Sequence, residues 1–303
     1  MAKFRRNHGT PGRRKHFISY GKIVTFALVT IVLMLILFRA LGKMDLNTWA
    51  NDGNSVETIP AEDRYYLPVS SGEIVHHRYY SLSYKEEWEQ AEWVAYLLTK
   101  SMLRGPRVRR TDQFSQDPDV STGSAIQSEY IRSGYTRGHL VPAADMAFSN
   151  KAMDATFYTS NIAPQKRAFN GGVWRELEEN VRDWVGRYGS LYIISGPIFD
   201  RGPQRRLKGS KIAIPDAYFK MVVTAQDDTP KGIAFILPNA SSDKELSNYT
   251  VTIDEVETRT GTDYWDDLLE DEIEERVESQ IDVTLWPIKQ KRYFQRINQW
   301  NRQ

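Results

Sequence analysis

Three runs of aromatic and β-branched residues constrain the fold of this 303-residue chain more than any other feature. They are SLYIISGPIF (Ser190 to Phe199), AYFKMVVTA (Ala217 to Ala225) and GIAFILPN (Gly232 to Asn239), and turn-forming residues such as Gly and Pro separate them. Short runs of this kind, bounded by turn residues, predict central strands of an antiparallel or mixed sheet.

Helical and loop patterns surround these runs and make the fold class α+β. GGVWRELEENVRDWV (Gly171 to Val185) carries an apolar stripe at helical spacing, and Asn170 stands at its start. EEWEQAEWVAYLLTKS (Glu86 to Ser101) can be helix, strand or both. The remaining predictions are a Gly-, Pro- and Ser-rich loop over Arg104 to Gly134, a strand leading into a turn over Arg137 to Ala143, and helices over Val251 to Thr260 and Trp265 to Gln280.

An uncharged apolar run, Ile23 to Phe38, separates a basic N-terminus from the rest of the chain. Extended to Leu41, it approaches the ~20 residues that span a bilayer. The basic side is expected in the cytoplasm and the folded domain on the periplasmic or extracellular side. The predicted parts are a cytoplasmic tail (1–22), a single transmembrane anchor (23–41), a linker (42–60), one domain (61–290) and a C-terminal tail (291–303). A cleaved signal peptide, followed by secretion, is the alternative.

Charge and cysteine content exclude several classes of site. The chain has no cysteine, so any metal must be held by oxygen or imidazole ligands, which favours Mg²⁺ or Ca²⁺. Residues 1–43 hold nine Lys and Arg and no acid, which leaves 31 basic against 39 acidic residues in the remainder. Nucleic acid would therefore have to bind to local basic groups, since the body of the chain is acidic overall.

Two segments carry residues with catalytic chemistry. SGYTRGHLVPAADM (Ser133 to Met146) contains His139, and the segment from Phe157 to Trp184 contains Asn170, Glu178 and Arg182. On a helix, Glu178 and Arg182 lie one turn apart. An amide oxygen and a carboxylate could hold a hydrated divalent cation, a neutral imidazole could take a proton from water, and arginines could bind phosphate. A lone histidine at a strand end is also typical of a core histidine, so the second segment decides the interpretation.

YTRGHLVPAADM followed by FYTSNIAPQKRAFNGGVWRELE resembles the DNA/RNA non-specific endonuclease family, the ββα-metal nucleases. The resemblance covers roughly residues 63–287 and implies a ββα-metal nuclease domain with a central, mainly antiparallel sheet flanked by helices. The implied activity is hydrolysis of phosphodiester bonds in both DNA and RNA, dependent on Mg²⁺, with Mn²⁺ as a possible substitute.

The resemblance also implies a role for each matched residue. His139 corresponds to the general base, Asn170 to the one direct protein ligand of the metal, and Glu178 to the carboxylate that positions metal-bound water. The phosphate-binding arginines correspond to Arg137, Arg182 and, further upstream, Arg110, with Arg109 nearly as good a match.

The chain departs from the family pattern at two positions. Thr136 stands where an Asp is usual, and its hydroxyl is expected to substitute in part; Gly171 replaces a frequent Gln or Asn. Structural roles are expected for His76, His77 and Asn161, with Asn161 as the alternative metal-site amide.

Two other functions stay open: a non-catalytic nucleic-acid-binding protein at the membrane, and a phosphodiesterase acting on small phosphodiesters. The sequence leaves the DNA or RNA preference and the oligomeric state undecided, with a homodimer among the alternatives.

Overall fold

A computed structural model describes residues 67–224, 229–265 and 269–302. Its main element is a seven-stranded sheet in which every neighbouring pair of strands is antiparallel. The strands, in their order across the sheet, are β1 (Glu73–His76), β2 (Ser81–Lys85), β3 (Gln90–Thr99), β6 (Ser190–Ile198), β7 (Ala217–Thr224), β8 (Gly232–Pro238) and β9 (Thr250–Val251). The three strands predicted from the aromatic runs are confirmed as β6, β7 and β8.

The runs are mainly apolar because both faces of the sheet are covered. Ile193 and Val222 belong to one hydrophobic cluster, and their chain neighbours Ile194 and Met221 belong to another. Successive side chains of a strand point to opposite faces, so the two clusters lie on the two sides of the sheet. Fully buried strands of this kind lose the alternation of polar and apolar residues that marks a half-exposed sheet.

Six α-helices are present in the described residues. They are α1 (Lys100–Arg104), α2 (Asn150–Ala155), α3 (Arg175–Tyr188), α4 (Ile253–Thr260), α5 (Asp271–Ser279) and α6 (Gln290–Asn298). Helix α3 contributes Leu177, Val181 and Trp184 to the first cluster, whereas Ile253 of α4 and Val277 of α5 belong to the second. The fold is therefore a mixed α/β arrangement with helices on both faces of the antiparallel sheet.

A second sheet has two strands, and neither strand pairs with a strand of the main sheet. Strand β4 (Thr136–His139) pairs antiparallel with β5 (Ile162–Gln165), so that His139 lies opposite Ile162. A π-helical segment, Phe169–Trp174, follows β5 and runs directly into α3. The predicted helix over 171–185 thus begins in this π-helical segment, whose backbone is kinked at Gly172 (φ −106°, ψ −112°), and regular α-helix starts only at Arg175. Wider π turns of this type are frequent at functional sites.

The structure also defines the elements in two stretches that the sequence left open or bounded differently. The stretch from Glu86 to Ser101 is mostly strand β3, followed by the start of helix α1. The predicted helix over 265–280 is confirmed only as α5, which begins at Asp271.

The segment predicted as a C-terminal tail is instead packed against the domain. It contains helix α6, whose Arg296 is fully buried. The guanidinium Nε of Arg296 donates to Glu176 Oε2 of α3 at 2.5 Å, and Glu176 is also fully buried. A buried charge is tolerated only with such a partner, so α6 and α3 are tied together.

The predicted N-terminal tail (1–22), anchor (23–41) and linker (42–60) lie outside the described residues. Among residues 67–224, 229–265 and 269–302, no helix has the combination of length and apolar character needed to cross a membrane.

Candidate active site

The strand that carries His139 is shaped by the glycine before it. A Cβ on Gly138 would lie 2.1 Å from Cδ of Gln165, so the Gln165 side chain of β5 occupies the space that any other residue would need. Glycine therefore allows the side chain of one strand to cross closely over the other. This close contact explains the glycine between Arg137 and His139.

His139 is buried beneath the surface, and one of its ring nitrogens makes no hydrogen bond with the described residues. The residue is 8% exposed, and its Nε2 has no hydrogen-bond partner among the described residues. The ring packs edge-on against Phe157, with 5.0 Å between centroids, and tilts against Phe114 at 5.7 Å. Burial, reinforced by the positive charges of Arg110 and Arg137, lowers the pKa of His139 to about 3. The imidazole is accordingly neutral at physiological pH.

Two arginines contact the same aromatic rings that pack against His139. The guanidinium carbon of Arg137 lies 4.2 Å from the centroid of Phe114, and that of Arg110 lies 4.9 Å from the centroid of Phe157. Arg110 also donates from Nε to Asp112 Oδ1 at 2.6 Å. Cation–π contacts of this kind hold a guanidinium in place while leaving its N–H groups in part available. Two positive charges therefore lie near a neutral imidazole.

Asn170 lies in the π-helical segment and is oriented by Thr136. Its Nδ2 donates to Thr136 Oγ1 at 3.0 Å, and the Thr136 hydroxyl in turn donates to the carbonyl oxygen of Gln165 at 2.9 Å. Because the amide nitrogen is engaged, Oδ1 of Asn170 is the atom left to bind a ligand. Thr136 thus links β4, β5 and the π-helical segment with a single hydroxyl.

Glu178 and Arg182 lie one turn apart on α3, as predicted, in a network of charges. Arg182 donates to Asp145 Oδ1 at 2.8 Å, and Asp145 also accepts from the hydroxyl of Tyr96 at 2.9 Å. Burial raises the pKa of Glu178, although the positive charges of Arg182 and Lys220 oppose the shift.

Lys220 connects this network to the strand of His139. It is 1% exposed on β7, and its ammonium donates to Ser195 Oγ at 3.2 Å and to the carbonyl oxygen of Leu140 at 3.4 Å. Burial lowers the pKa of Lys220, while Glu178 and Asp145 oppose the change. Leu140 directly follows His139, so the buried ammonium supports the end of β4.

The oxygen groups near this site suit a hard divalent cation. Asn170 offers an amide oxygen, and half-buried Glu178 of α3 offers a carboxylate. Amide and carboxylate oxygens are ligands that Mg²⁺ and Mn²⁺ accept. The two residues named from the sequence as metal-binding therefore have the right donor chemistry.

A second group with metal-ligating atoms involves His77, Asp117 and Asp119, whose ligand atoms lie within 4.8 Å of one another. His77 Nε2 is 2.8 Å from Asp117 Oδ2, and its Nδ1 is 3.4 Å from Asp119 Oδ2. Asp117 also accepts from the Ser160 hydroxyl. These three side chains contact one another within the fold, and together they also have the donor atoms to hold a cation.

Asn161, the alternative amide, is fully used within the fold. Its Oδ1 accepts from the Val141 backbone N–H at 2.8 Å, and its Nδ2 donates to the carbonyl oxygens of Val141 and Thr156. It holds the turn after β4, as the sequence favoured.

Sequence reasoning missed Asp145, Gln165 and Lys220. Lys220 carried a usable signal, because it is the one charged residue in an otherwise apolar strand sequence, AYFKMVVT. Asp145 lies inside the quoted motif, but only the folded chain shows that it pairs with Arg182. Of the two upstream arginines, Arg110 is the one whose charge acts on His139.

Comparison with known proteins points to one family. A model of the DNA/RNA non-specific endonuclease family matches residues 63–271. The chain is 30% identical over 242 residues to the mitochondrial nuclease EXOG of Homo sapiens, covering 74% of this chain and 65% of that protein. It is 32% identical over 197 residues to human mitochondrial endonuclease G, covering 60% of this chain and 66% of that protein. The chain thus spans a little under two thirds of the length of each relative.

A solved structure supports the same assignment. The crystal structure of an EndoG/EndoGI complex, which addresses the inhibition of EndoG, matches with a TM-score of 0.63 and 26% sequence identity. The match covers 71% of this chain and 95% of that chain.

The localisation predicted from the sequence is wrong. A single-pass anchor with the domain on the non-cytoplasmic side, or secretion after cleavage, does not fit relatives that are named as mitochondrial nucleases.

Proposed function

Because the chain belongs to the DNA/RNA non-specific endonuclease family, we propose that it is a metal-dependent endonuclease that hydrolyses phosphodiester bonds of DNA and RNA. The observation that carries this proposal is the buried, neutral imidazole of His139. Its Nε2 has no hydrogen-bond partner in the described residues, and the positive charges of Arg110 and Arg137 act on it. An unused base beside anion-binding groups suits attack of water on a phosphodiester.

His139 acts as the general base that takes a proton from the attacking water. In the free protein its pKa of about 3 keeps the ring deprotonated but makes it a weak base. Binding of a phosphate anion between the arginines offsets their positive charge and raises the pKa of His139. The base therefore becomes stronger when the substrate is in place.

The arginines bind the scissile phosphate and stabilise charge that develops on its oxygens. The guanidinium groups of Arg137 and Arg110 lie over aromatic rings, and among the described residues only Nε of Arg110 is used, for Asp112, so N–H groups are available for phosphate oxygens. Arg182 uses one nitrogen for Asp145 and keeps the others for the substrate. Asp145 is thus a positioning residue for Arg182.

Asn170 would be the direct protein ligand of the metal ion, expected to be Mg²⁺ or Mn²⁺, and Glu178 would position the water bound to that ion. When bound, such an ion stabilises negative charge on the phosphate and provides an acidic water for the leaving oxygen. The Thr136 hydroxyl accepts from Nδ2 of Asn170, which leaves Oδ1 of the amide for the ion. Lys220 and Arg182 favour the ionised form of Glu178 that ligand binding requires.

Cleavage assays with the purified protein test this function. Supercoiled plasmid and single-stranded RNA are each incubated with Mg²⁺ and, separately, with excess EDTA. We expect both substrates to be cut internally with Mg²⁺ and to stay intact with EDTA. Binding without cleavage in either condition would indicate a non-catalytic nucleic-acid-binding protein. Hydrolysis confined to a small diester such as bis(p-nitrophenyl) phosphate would indicate a phosphodiesterase of small substrates.

A further inference from the structure

A group of carboxylates lies where helices α4 and α5 meet on the face of the sheet opposite α3. Asp254 and Glu257 come from α4, one turn apart, and Glu278 comes from α5. One ligand atom from each of the three residues lies within 4.8 Å of the other two. None of these residues takes part in the candidate active site.

Glu278 lies in this junction next to Val277, an apolar residue that packs into the core. Val277 and Ile253 both press on Gly232 of β8, where an added Cβ would lie 2.7 Å from Val277 and 2.9 Å from Ile253. Val277 and Glu278 are neighbours at the C-terminal end of α5, and both are buried. Glu278 is only 8% exposed, and its Oε1 has no hydrogen-bond partner among the described residues.

The surroundings of Glu278 are negative. Burial raises its pKa to about 8, and the charges of Glu257, Glu274, Asp254 and Asp263 act in the same direction. Arg259, on the same helix as Asp254, is paired with Asp200. An unpaired buried carboxylate among other carboxylates is costly unless a proton or a cation neutralises it.

We infer that Asp254, Glu257 and Glu278 form a binding site for a hard divalent cation that joins α4 to α5. Ligands that surround one Ca²⁺ ion at its usual oxygen distances are at most about 5 Å apart, which the observed spacing allows. Glu257 is already oriented, since one of its oxygens accepts from the Tyr264 backbone N–H at 2.9 Å. The partly exposed side of the cluster, at Asp254, gives the ion and its remaining waters access.

Calcium-dependent thermal unfolding tests the site. The Asn170→Ala background removes the active-site ligand, so that any remaining calcium effect arises elsewhere. At pH 8, millimolar CaCl₂ should raise the unfolding midpoint of Asn170→Ala by ~3 °C or more relative to EDTA. The shift should disappear on adding Glu278→Gln or Asp254→Asn. It should persist with Glu255→Gln, a matched control at an exposed position on α4.

The two variants keep the test decisive. Glu278→Gln removes the charge of a buried residue, whereas Asp254→Asn changes an exposed one that has little influence on folding. Absence of a calcium shift in the Asn170→Ala protein would overturn the inference, because protonation alone would then neutralise Glu278. An equal shift in Asn170→Ala and in both added variants would overturn it too, since the ion would bind at another place.

Discussion

At the scale of single residues, the candidate site depends on side chains that orient other side chains. Thr136 is the clearest case. The family pattern has an acid at this position, yet here one hydroxyl accepts from Asn170 and donates to Gln165. Whether threonine could serve was open from the sequence, because only the fold brings residue 170 next to residue 136.

Replacing Thr136 by valine should therefore weaken metal binding while preserving the shape of the side chain. Loss of the partner for Asn170 Nδ2 frees the amide to rotate, so we expect roughly tenfold lower activity and a higher Mg²⁺ requirement. Cleavage rates measured across a magnesium titration check this. Thr136→Ser keeps the hydroxyl and should stay near wild type; equal magnesium curves for valine and wild type would refute the role.

The two proposed metal-binding residues should respond differently to substitution. Asn170→Ala removes the oxygen that binds the ion directly, so activity should collapse and added magnesium should not restore it. Glu178→Gln keeps shape and an acceptor but loses charge, so partial activity should remain and rise with magnesium. The same titration gives the order wild type, Glu178→Gln, Asn170→Ala. An unchanged rate and magnesium requirement in Asn170→Ala would show that the metal binds elsewhere.

At the scale of elements, strands were predictable and the start of the main helix was not. β6, β7 and β8 follow from dense aromatic and β-branched runs, because burial on both faces demands them. The π-helical segment Phe169–Trp174 leaves little trace in the sequence beyond two glycines, since its wide turn is set by contacts with β4 and with the C-terminal residues.

Alanine substitutions at two glycines, one in β4 and one in α3, should change the free energy of unfolding in opposite directions. Gly138→Ala places a methyl group within 2.1 Å of Gln165, so we expect a loss of roughly 1–3 kcal/mol in the free energy of unfolding. Gly186→Ala, in α3 with nothing within 4 Å of the new methyl, should raise that free energy by up to ~1 kcal/mol. Equal effects of the two substitutions in urea titrations would contradict the close approach of β4 and β5.

At the scale of the whole molecule, long-range polar contacts escaped prediction. The C-terminal residues read as a polar tail, yet Arg296 is buried against Glu176, which is 120 residues earlier in the chain. Likewise, the acids of α5 resemble an exposed helix face, but Glu278 is buried. A charged residue gives no sign in sequence of a partner so distant, whereas the local motif around His139 does indicate its chemistry.

The buried Glu278 should make global stability depend on pH when divalent ions are removed. Its pKa is about 8 in the folded protein against 4.5 when unperturbed, so the folded state retains a proton that the unfolded chain releases. The contribution of Glu278 to the free energy of unfolding is fully present below pH ~4.5 and is lost as the pH rises through about 8. In EDTA, Glu278→Gln should be more stable than wild type at pH 8.5, by at least ~1 kcal/mol, and similar at pH 5. Urea unfolding of both proteins at both pH values measures this. The same difference in free energy of unfolding at pH 5 and at pH 8.5 would contradict it.

The central claim is that His139 is the base of a phosphodiesterase site, and one measurement tests it most directly. Initial rates of plasmid nicking with Mg²⁺ are compared for wild type, His139→Ala and the control His76→Ala, after circular dichroism shows that all three are folded. The account predicts that His139→Ala loses ~10²–10⁴ in rate while His76→Ala, at an exposed position, stays near wild type. Nicking by folded His139→Ala at a rate close to wild type would contradict it.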